Sequence, residues 1–342
     1  MNKILMMGLT PPLEGGSERH IFEVSSRLKC DVLTQNGSSC RNKIEIPIIG
    51  SGFIRNISFF ISSFVYSLYL LFRTKKIYEV IHIHENLLYF LAPLLRLRYK
   101  VVITVHGIKG FKFYDNKKLW KLFSFGLRRA NLLIAVNMED RIKLEKYFEK
   151  VDYIPNGVDL SIYKKIKVNV EKKISFIGRI HEQKGVIYLL EAFEKIKDKL
   201  PEWKLELIGK VDSYGLDLQK KFKDKRIIWR GLISDRKEIV KSLKSSYLIA
   251  LPSLWEGLPL TLFEALASER PVIVSDIPAF KSVIKDEALY CKVKDSEDLA
   301  KKIMLLIDKV KAEGFGKRGK KLAEQYDWRV IADKLNLVYD EI

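Results

Sequence analysis

Cysteine is scarce in this chain of 342 residues. The three it has, Cys30, Cys40 and Cys291, are scattered, odd in number and in no metal-like spacing. That excludes a disulfide scaffold and fits a reducing compartment, so a cytoplasmic protein is expected. No segment is of low complexity, which argues against long disordered tracts. The N-terminal ten residues hold Lys3 and a short apolar run that leads on to Gly15-Gly16. They read as a first strand and not as a signal peptide. Long hydrophobic runs are missing except for one, the uncharged residues 56–72, which is shorter than the ~20 residues a spanning helix needs. Acidic charge is in deficit: 61 Lys+Arg against 42 Asp+Glu leave a net charge of +19, of which residues 55–129 alone carry +11. A basic surface concentrated in this way attracts phosphates, whether of nucleic acid, anionic lipid or a diphosphate substrate.

What is present is an alternation of short Val/Ile/Leu-rich runs with longer helical stretches. Strands are expected at 3–9, 30–34, 80–84, 101–106, 132–136 and 151–154. A second series follows at 173–177, 204–208, 227–229, 247–251, 271–275 and 289–291. Near-continuous apolar strands with helices between them imply parallel sheets covered on both faces. At roughly 100–200 residues per domain, two domains fit the length. The fold class is therefore α/β with two doubly wound domains, 1–165 and 166–325, joined through the lysine-rich stretch Lys164–Asn169. In such sheets ligands bind outside the carboxyl ends of the strands, and two facing units would hold a ligand between them.

Four loops carry chemistry. Gly178-Arg179 follows a strand and Lys184-Gly185 precedes a helix, so two cations flank a helix N-terminus, an arrangement that suits a diphosphate. A solvated basic loop is the alternative. Glu256-Gly257-Leu258-Pro259-Leu260 leads from a strand into a helix that contains Glu264. Free loop N–H groups can hold phosphate, and a carboxylate can take a sugar diol. Glu264 sits between Phe263 and Ala265, where an unpaired charge is costly, and this favours a functional role. Gly15-Gly16 precedes a first helix with Ser17 as its N-cap candidate; taken alone, a plain tight turn accounts for it better. It is not the GxGxxG dinucleotide fingerprint. His106 ends a strand on the ligand side. His82 and His84 alternate and so share a face; a metal pair is conceivable there, but no third ligand is evident.

In order along the chain, Gly15-Gly16, His106-Gly107, Ile154-Pro155-Asn156-Gly157-Val158-Asp159, Gly178-Arg179 with Lys184-Gly185, Glu256 with Glu264, and Tyr326-Asp327-Trp328 resemble the retaining glycosyltransferases of family 4, which have the GT-B fold. The resemblance covers nearly the whole chain. It implies two Rossmann-like domains facing a central cleft, with a C-terminal helix (326–342) crossing back to the first. It implies a nucleotide-diphosphate-sugar donor (UDP-, GDP- or ADP-linked), a glycan or lipid-linked acceptor, and no metal or other cofactor. Arg179 and Lys184 would bind the donor diphosphate and stabilise the leaving group, and Glu264 the ribose. Glu256 would face the donor sugar, with Gly257, Leu258, Pro259 and Leu260 offering backbone groups. Gly15 and Gly16 would close over the diphosphate, and His106 would lie by the sugar. The run after Asp276 departs from the family pattern. An epimerase acting on sugar nucleotides with the same fold is the alternative enzyme. A nucleic-acid-binding protein is not expected, since its motifs are missing and the lysines are interspersed with acidic residues.

Residues 56–72 read either as a buried helix of the first domain or as an interfacial helix. Phe111–Tyr114 and Lys117–Phe123, followed by Arg128-Arg129, interleave aromatics with cations. That suits an anionic membrane surface, with Trp and Phe at headgroup depth. The first domain is thus expected to dock peripherally on the inner membrane face through residues 55–129.

Overall fold

The computed structural model describes residues 3–13, 15–108, 117–307 and 309–342. The chain forms two compact units, Met1–Asn156 with Trp328–Ile342, and Gly157–Asp327. The lysine-rich stretch at 164–169 lies in the second of them. The carbonyls of Tyr163, just before it, and of Ile166, within it, both accept from Lys244 Nζ, which ties the segment to the helix Arg236–Ser245.

The first unit is built on strands β1 (Ile4–Met7), β2 (Cys30–Gln35), β3 (Lys43–Ile46), β4 (Val80–Ile83), β5 (Lys100–Val105), β6 (Leu132–Ala135) and β7 (Val151–Tyr153). They pair in parallel in the order β3-β2-β1-β4-β5-β6-β7. The order reverses between β1 and β4, where Met7 is level with Ile83. The central strands are buried along their length, as their continuous apolar composition requires of a sheet covered on both faces. The edge strand β3 is the one the composition conceals. Its Lys43 and Glu45 are exposed and only Ile46 is fully buried, so it carries little apolar signal.

The second unit has β8 (Lys173–Ile177), β9 (Lys204–Ile208), β10 (Ile227–Gly231), β11 (Leu248–Leu251), β12 (Val272–Ser275) and β13 (Leu289–Cys291). These are again all parallel, in the order β10-β9-β8-β11-β12-β13, with the reversal between β8 and β11. The last helix, Trp328–Glu341, belongs to the first unit. It packs there against the helix Gly16–Ser25, burying Trp328 and Tyr339.

One helix of the first unit breaks the usual pattern. Gly52–Phe72 buries only Phe59, Ser63, Ser67 and Leu70, a single narrow stripe. On the opposite side Ile54, Ile61, Val65 and Phe72 are 64, 56, 60 and 84 % exposed. A surface helix normally turns polar residues outward. This one is long and apolar enough to cross a membrane by length and composition, yet it is neither buried nor polar outside.

Candidate active site

In the second unit the reversal of strand order places the ends of β8 and β11 side by side, and the residues named from the sequence collect at both. Gly178 and Arg179 leave β8 and are followed by a 3₁₀ turn, Glu182–Lys184. Gly185 then reverses the chain into the helix Val186–Ile196 with φ 63°, the left-handed region. A Cβ on Gly185 would lie 2.0 Å from the carbonyl oxygen of Pro252, so only glycine allows the β8 loop to approach the β11 loop. The Leu254 N–H donates to the Gln183 carbonyl at 2.8 Å, and Gln183 Nε2 donates to the Trp255 carbonyl at 3.0 Å. The two loops are therefore held as one piece.

That piece presents an ion pair. Lys184 Nζ lies 2.5 Å from Glu256 Oε1, with both side chains largely buried. The same oxygen accepts from Ser253 Oγ at 2.7 Å. A buried pair needs such extra hydrogen bonds to offset desolvation. Arg179 is exposed beside it and makes no side-chain hydrogen bond or ion pair among the described residues. Its guanidinium is thus available to an anion. Gly257 is exposed, Leu258 is buried, and Pro259 precedes the helix Leu260–Ala267 without a side-chain cap, so the first N–H groups of that helix have no capping side chain.

Glu264 is buried on the same helix but is not an unpaired charge. Its Oε1 lies 2.6 Å from Arg236, which stands at the start of the helix Arg236–Ser245. Arg236 supplies the partner that a charge in this apolar helix needs. Beside this pair is the buried hydroxyl of Tyr163, which has no hydrogen-bond partner among the described residues. Burial first, and then the Glu264 charge, push its pKa well above the ordinary value. Ser253, Gln183, Arg236 and Tyr163 have no motif of their own. Arg236 sits 28 positions from Glu264, and only the packing of two helices brings them together.

In the first unit Gly15, not Ser17, occupies the N-cap of the helix Gly16–Ser25. Ser17 lies in the first turn and donates to Glu18 instead. Gly15 and Gly16 are both exposed, and the Glu18 carboxylate folds back against Gly15, where a Cβ would lie 2.0 Å from Glu18 Oε2.

His106, just past β5, is part of a cluster holding four of the chain's five histidines. His84 Nδ1 lies 3.1 Å from His106 Nε2, so one of the two must carry the proton and the other accept it. His82 has both nitrogens occupied, by the Tyr339 hydroxyl at 2.6 Å and by Thr104 Oγ1 at 2.7 Å, so it is not a metal ligand in waiting. His20 pairs with Asn156 Oδ1 at 3.0 Å. Burial is the main cause that lowers all four pKa values, His20 to about 4 and the other three well below 6.5. At neutral pH the cluster is uncharged, and His106 is a neutral donor or acceptor and not a cation. His20 escapes a reading by motif because it lies mid-helix; its partners come from β4, β5 and the 156 turn.

Of the aromatics interleaved with cations, Phe111–Tyr114 lie outside the described residues, as do the side chains of Lys117, Lys118 and Leu119. Trp120 and Phe123 do not reach outward as headgroup anchors. Trp120 packs edge-on against Tyr147 and Phe148, and Phe123 is 9 % exposed within the core. Their helix turns Trp120 and Phe123 inward and leaves Leu122 and Phe125 outside.

Two parallel doubly wound units with their polar loops at the strand-order reversals define the class: the chain has the GT-B fold of the nucleotide-sugar glycosyltransferases. A model of glycosyltransferase family 4 matches residues 14–162, and a model of glycosyl transferases group 1 matches residues 161–322. The chain belongs to this family. It is 32 % identical over 253 residues to an Escherichia coli UDP-Gal:alpha-D-GlcNAc-diphosphoundecaprenol alpha-1,3-galactosyltransferase, an alignment spanning 65 % of this chain and 63 % of that one. It is 27 % identical over 235 residues to a Campylobacter jejuni N,N'-diacetylbacillosaminyl-diphospho-undecaprenol alpha-1,3-N-acetylgalactosaminyltransferase, spanning 68 % and 60 % of the two chains. The match thus covers less than two thirds of either relative's length. Among solved structures, sucrose-phosphate synthase from Thermosynechococcus elongatus superposes with a TM-score of 0.80 at 19 % identity, over 100 % of this chain and 99 % of that one. At that identity the likeness bears on the fold alone.

Proposed function

We propose that the chain is a retaining, metal-independent glycosyltransferase that moves a sugar from a nucleoside-diphosphate sugar to a lipid-linked acceptor at an anionic membrane surface. The observation that carries the reading is the Arg179, Lys184 and Glu256 constellation, with an uncapped helix N-terminus beside it, at the strand-order reversal of the second unit. Ligands of doubly wound sheets bind at this point.

In this reading the donor diphosphate lies against Arg179, Lys184 and the first N–H groups of the Leu260–Ala267 helix. As the bond from sugar to phosphate breaks, negative charge grows on the leaving diphosphate, and the two cations and the helix dipole stabilise it. Glu256, already fixed by Lys184 and Ser253, orients the sugar hydroxyls. Glu264, fixed by Arg236, takes the ribose diol. Gly15-Gly16 lets the backbone approach the donor phosphate, with the Glu18 carboxylate turning aside as it binds. His106, uncharged and tied to His84, hydrogen-bonds the donor sugar. Transfer on the face from which the diphosphate leaves would keep the anomeric configuration, with a diphosphate oxygen receiving the acceptor's proton.

Two features support a lipid-linked acceptor. The E. coli and C. jejuni relatives are named for acceptors on diphosphoundecaprenol. The outward apolar stripe of Gly52–Phe72 is followed directly by exposed Arg73, Lys75 and Lys76, which suit anionic headgroups beside an interfacial helix. The E. coli relative's name places UDP-sugars first among donors to try. The test is incubation of the protein with UDP-, GDP- and ADP-sugars and GlcNAc-diphosphate-prenol in excess chelator, with NMR of the product. The expected product has the donor's anomeric configuration. Conversion of the sugar nucleotide alone to an isomer would establish the epimerase instead.

A further inference from the structure

The histidine cluster of the first unit holds two buried nitrogens that have no partner, and they fix where its protons sit. His84 lies just past β4 and His106 just past β5, neighbouring strands that are level at Ile83 and Ile103. The His84 backbone N–H donates to the Met7 carbonyl at 3.0 Å. Its ring lies 4.1 Å from that of His82, centre to centre, and 5.4 Å from those of His106 and His20. A Cβ on Gly8 would stand 3.3 Å from the His84 Cβ, so the chain leaving β1 packs against it as well. The 3.1 Å contact from His84 Nδ1 to His106 Nε2 joins unlike nitrogens. With both rings neutral, one proton lies between them, so the two imidazoles must share a tautomer: both protonated at Nδ1, or both at Nε2. In the first state His84 donates, and the other nitrogen of His106, Nδ1, is an N–H. In the second state that nitrogen is a bare acceptor. His84 Nε2 separates the two, because it is buried and has no hydrogen-bond partner among the described residues. The second state strands an N–H there, whereas the first leaves only a lone pair, and a buried N–H is the group proteins least often leave unpaired. His20 has the same arrangement. Its Nδ1 faces Asn156 Oδ1, which only accepts, so the proton is on Nδ1 and the buried Nε2 is again a lone pair without a partner.

We propose that His84 is a positioning residue for the sugar transfer: its Nδ1–H holds His106 as the Nδ1–H tautomer, so that the half-buried His106 presents a hydrogen-bond donor, and not an acceptor, to a substrate oxygen. The inference rests on the glycosyl-transfer reading for the identity of that oxygen, a hydroxyl of the donor sugar, but not for the tautomer. His106 Nδ1 has no hydrogen-bond partner among the described residues, so it is the nitrogen left for a ligand. The two rings are 22 positions apart in the chain, and only the pairing of β4 with β5 brings them together.

The experiment reads the tautomer directly. Long-range proton–nitrogen correlation NMR of the isotope-labelled full chain at neutral pH distinguishes protonated from bare ring nitrogens, and the signals lost in His106→Gln identify His106. In the wild-type chain His106 should carry its proton on Nδ1. In His84→Phe, which keeps a ring beside His82 but removes the partner nitrogen, it should shift toward the Nε2–H form. The His82 signals, set by Tyr339 and Thr104, should stay in place and show that the variant is folded. A wild-type His106 protonated at Nε2 overturns the proposal, and so does an unchanged tautomer in folded His84→Phe; if that variant does not fold, the wild-type spectrum decides alone. The second arm is calorimetric titration with UDP-galactose, the donor in the E. coli relative's name, and with UDP. His84→Phe should weaken UDP-galactose about tenfold and leave UDP unchanged, and should cost nothing further in a His106→Gln background. His84→Asn, which keeps an N–H near the place of Nδ1, should recover most of the affinity. Equal weakening of both ligands by His84→Phe marks a merely structural role and overturns the positioning claim. Absence of binding by the wild-type chain would count against the glycosyl-transfer reading, while the spectra still decide the tautomer.

Discussion

Lowering the pH should destabilise the first unit through its histidines, and His20 gives the amount. Its pKa is about 4 in the folded chain against 6.5 when unfolded, because burial penalises the imidazolium. Between these values the unfolded state binds more protons, so stability rises with pH across the window. The contribution is fully present above pH 6.5 and is lost progressively as pH falls toward 4. Each tenfold difference in proton affinity between the two states is worth ~1.4 kcal/mol, so the loss from His20 alone is about 2 kcal/mol at pH 5 and about 3 kcal/mol near pH 4. His82, His84 and His106 act in the same direction. Glu85 acts in the opposite one, since its folded pKa of about 7 lies above its unfolded value of 4.5 and it takes up a proton on acidification. A thermodynamic cycle removes that contribution. Calorimetric unfolding of the wild-type chain and of His20→Gln, compared at pH 7.5 and pH 5, should show their stability difference changing by about 2 kcal/mol in favour of the variant at the lower pH. A difference independent of pH would refute the claim that a buried, neutral imidazole sits at this position.

Other substitutions probe the second unit and the outer helix. Gly185→Ala forces a Cβ against the Pro252 carbonyl at positive φ, and should cost the second unit about 1–3 kcal/mol in urea unfolding while weakening nucleotide-sugar binding. Glu264→Ala removes the carboxylate that pairs with Arg236 and with it the proposed ribose acceptor; donor affinity should fall about tenfold or more by calorimetry. Ile61→Asp with Val65→Asp, both on the exposed stripe, should abolish sedimentation with anionic vesicles at low salt while changing stability by no more than about 0.5 kcal/mol per site.

The parallel sheets are legible in the sequence because a strand buried on both faces must be apolar throughout, and Val101 to Val105 or Leu248 to Leu251 can be little else. The short edge strand β3 is not legible, since half of it faces water. The loops at β8 and β11 are legible because glycine, proline and charge cluster where strands end. What the sequence withholds is pairing across distance. Glu264 stands out as a charge in an apolar helix, but its neutraliser, Arg236, belongs to another helix. The His20–Asn156 contact spans 136 positions. Composition also cannot decide which way an apolar helix faces. Residues 56–72 suit a core, yet Phe59, Ser63, Ser67 and Leu70 are the only side chains of Gly52–Phe72 that reach it fully. The two serines on that stripe permit close approach, and the large side chains are left to the outside.

The central claim, that the second unit grips the diphosphate of a sugar nucleotide, is tested most directly by titrating UDP-sugars, then GDP- and ADP-sugars, into the wild-type chain and Lys184→Ala in chelator. One donor should bind the wild-type chain, and Lys184→Ala should weaken it by about ten- to a hundredfold, the worth of a charge-assisted hydrogen bond to phosphate. Equal binding by both proteins, or binding that appears only when a divalent metal is restored, would contradict it.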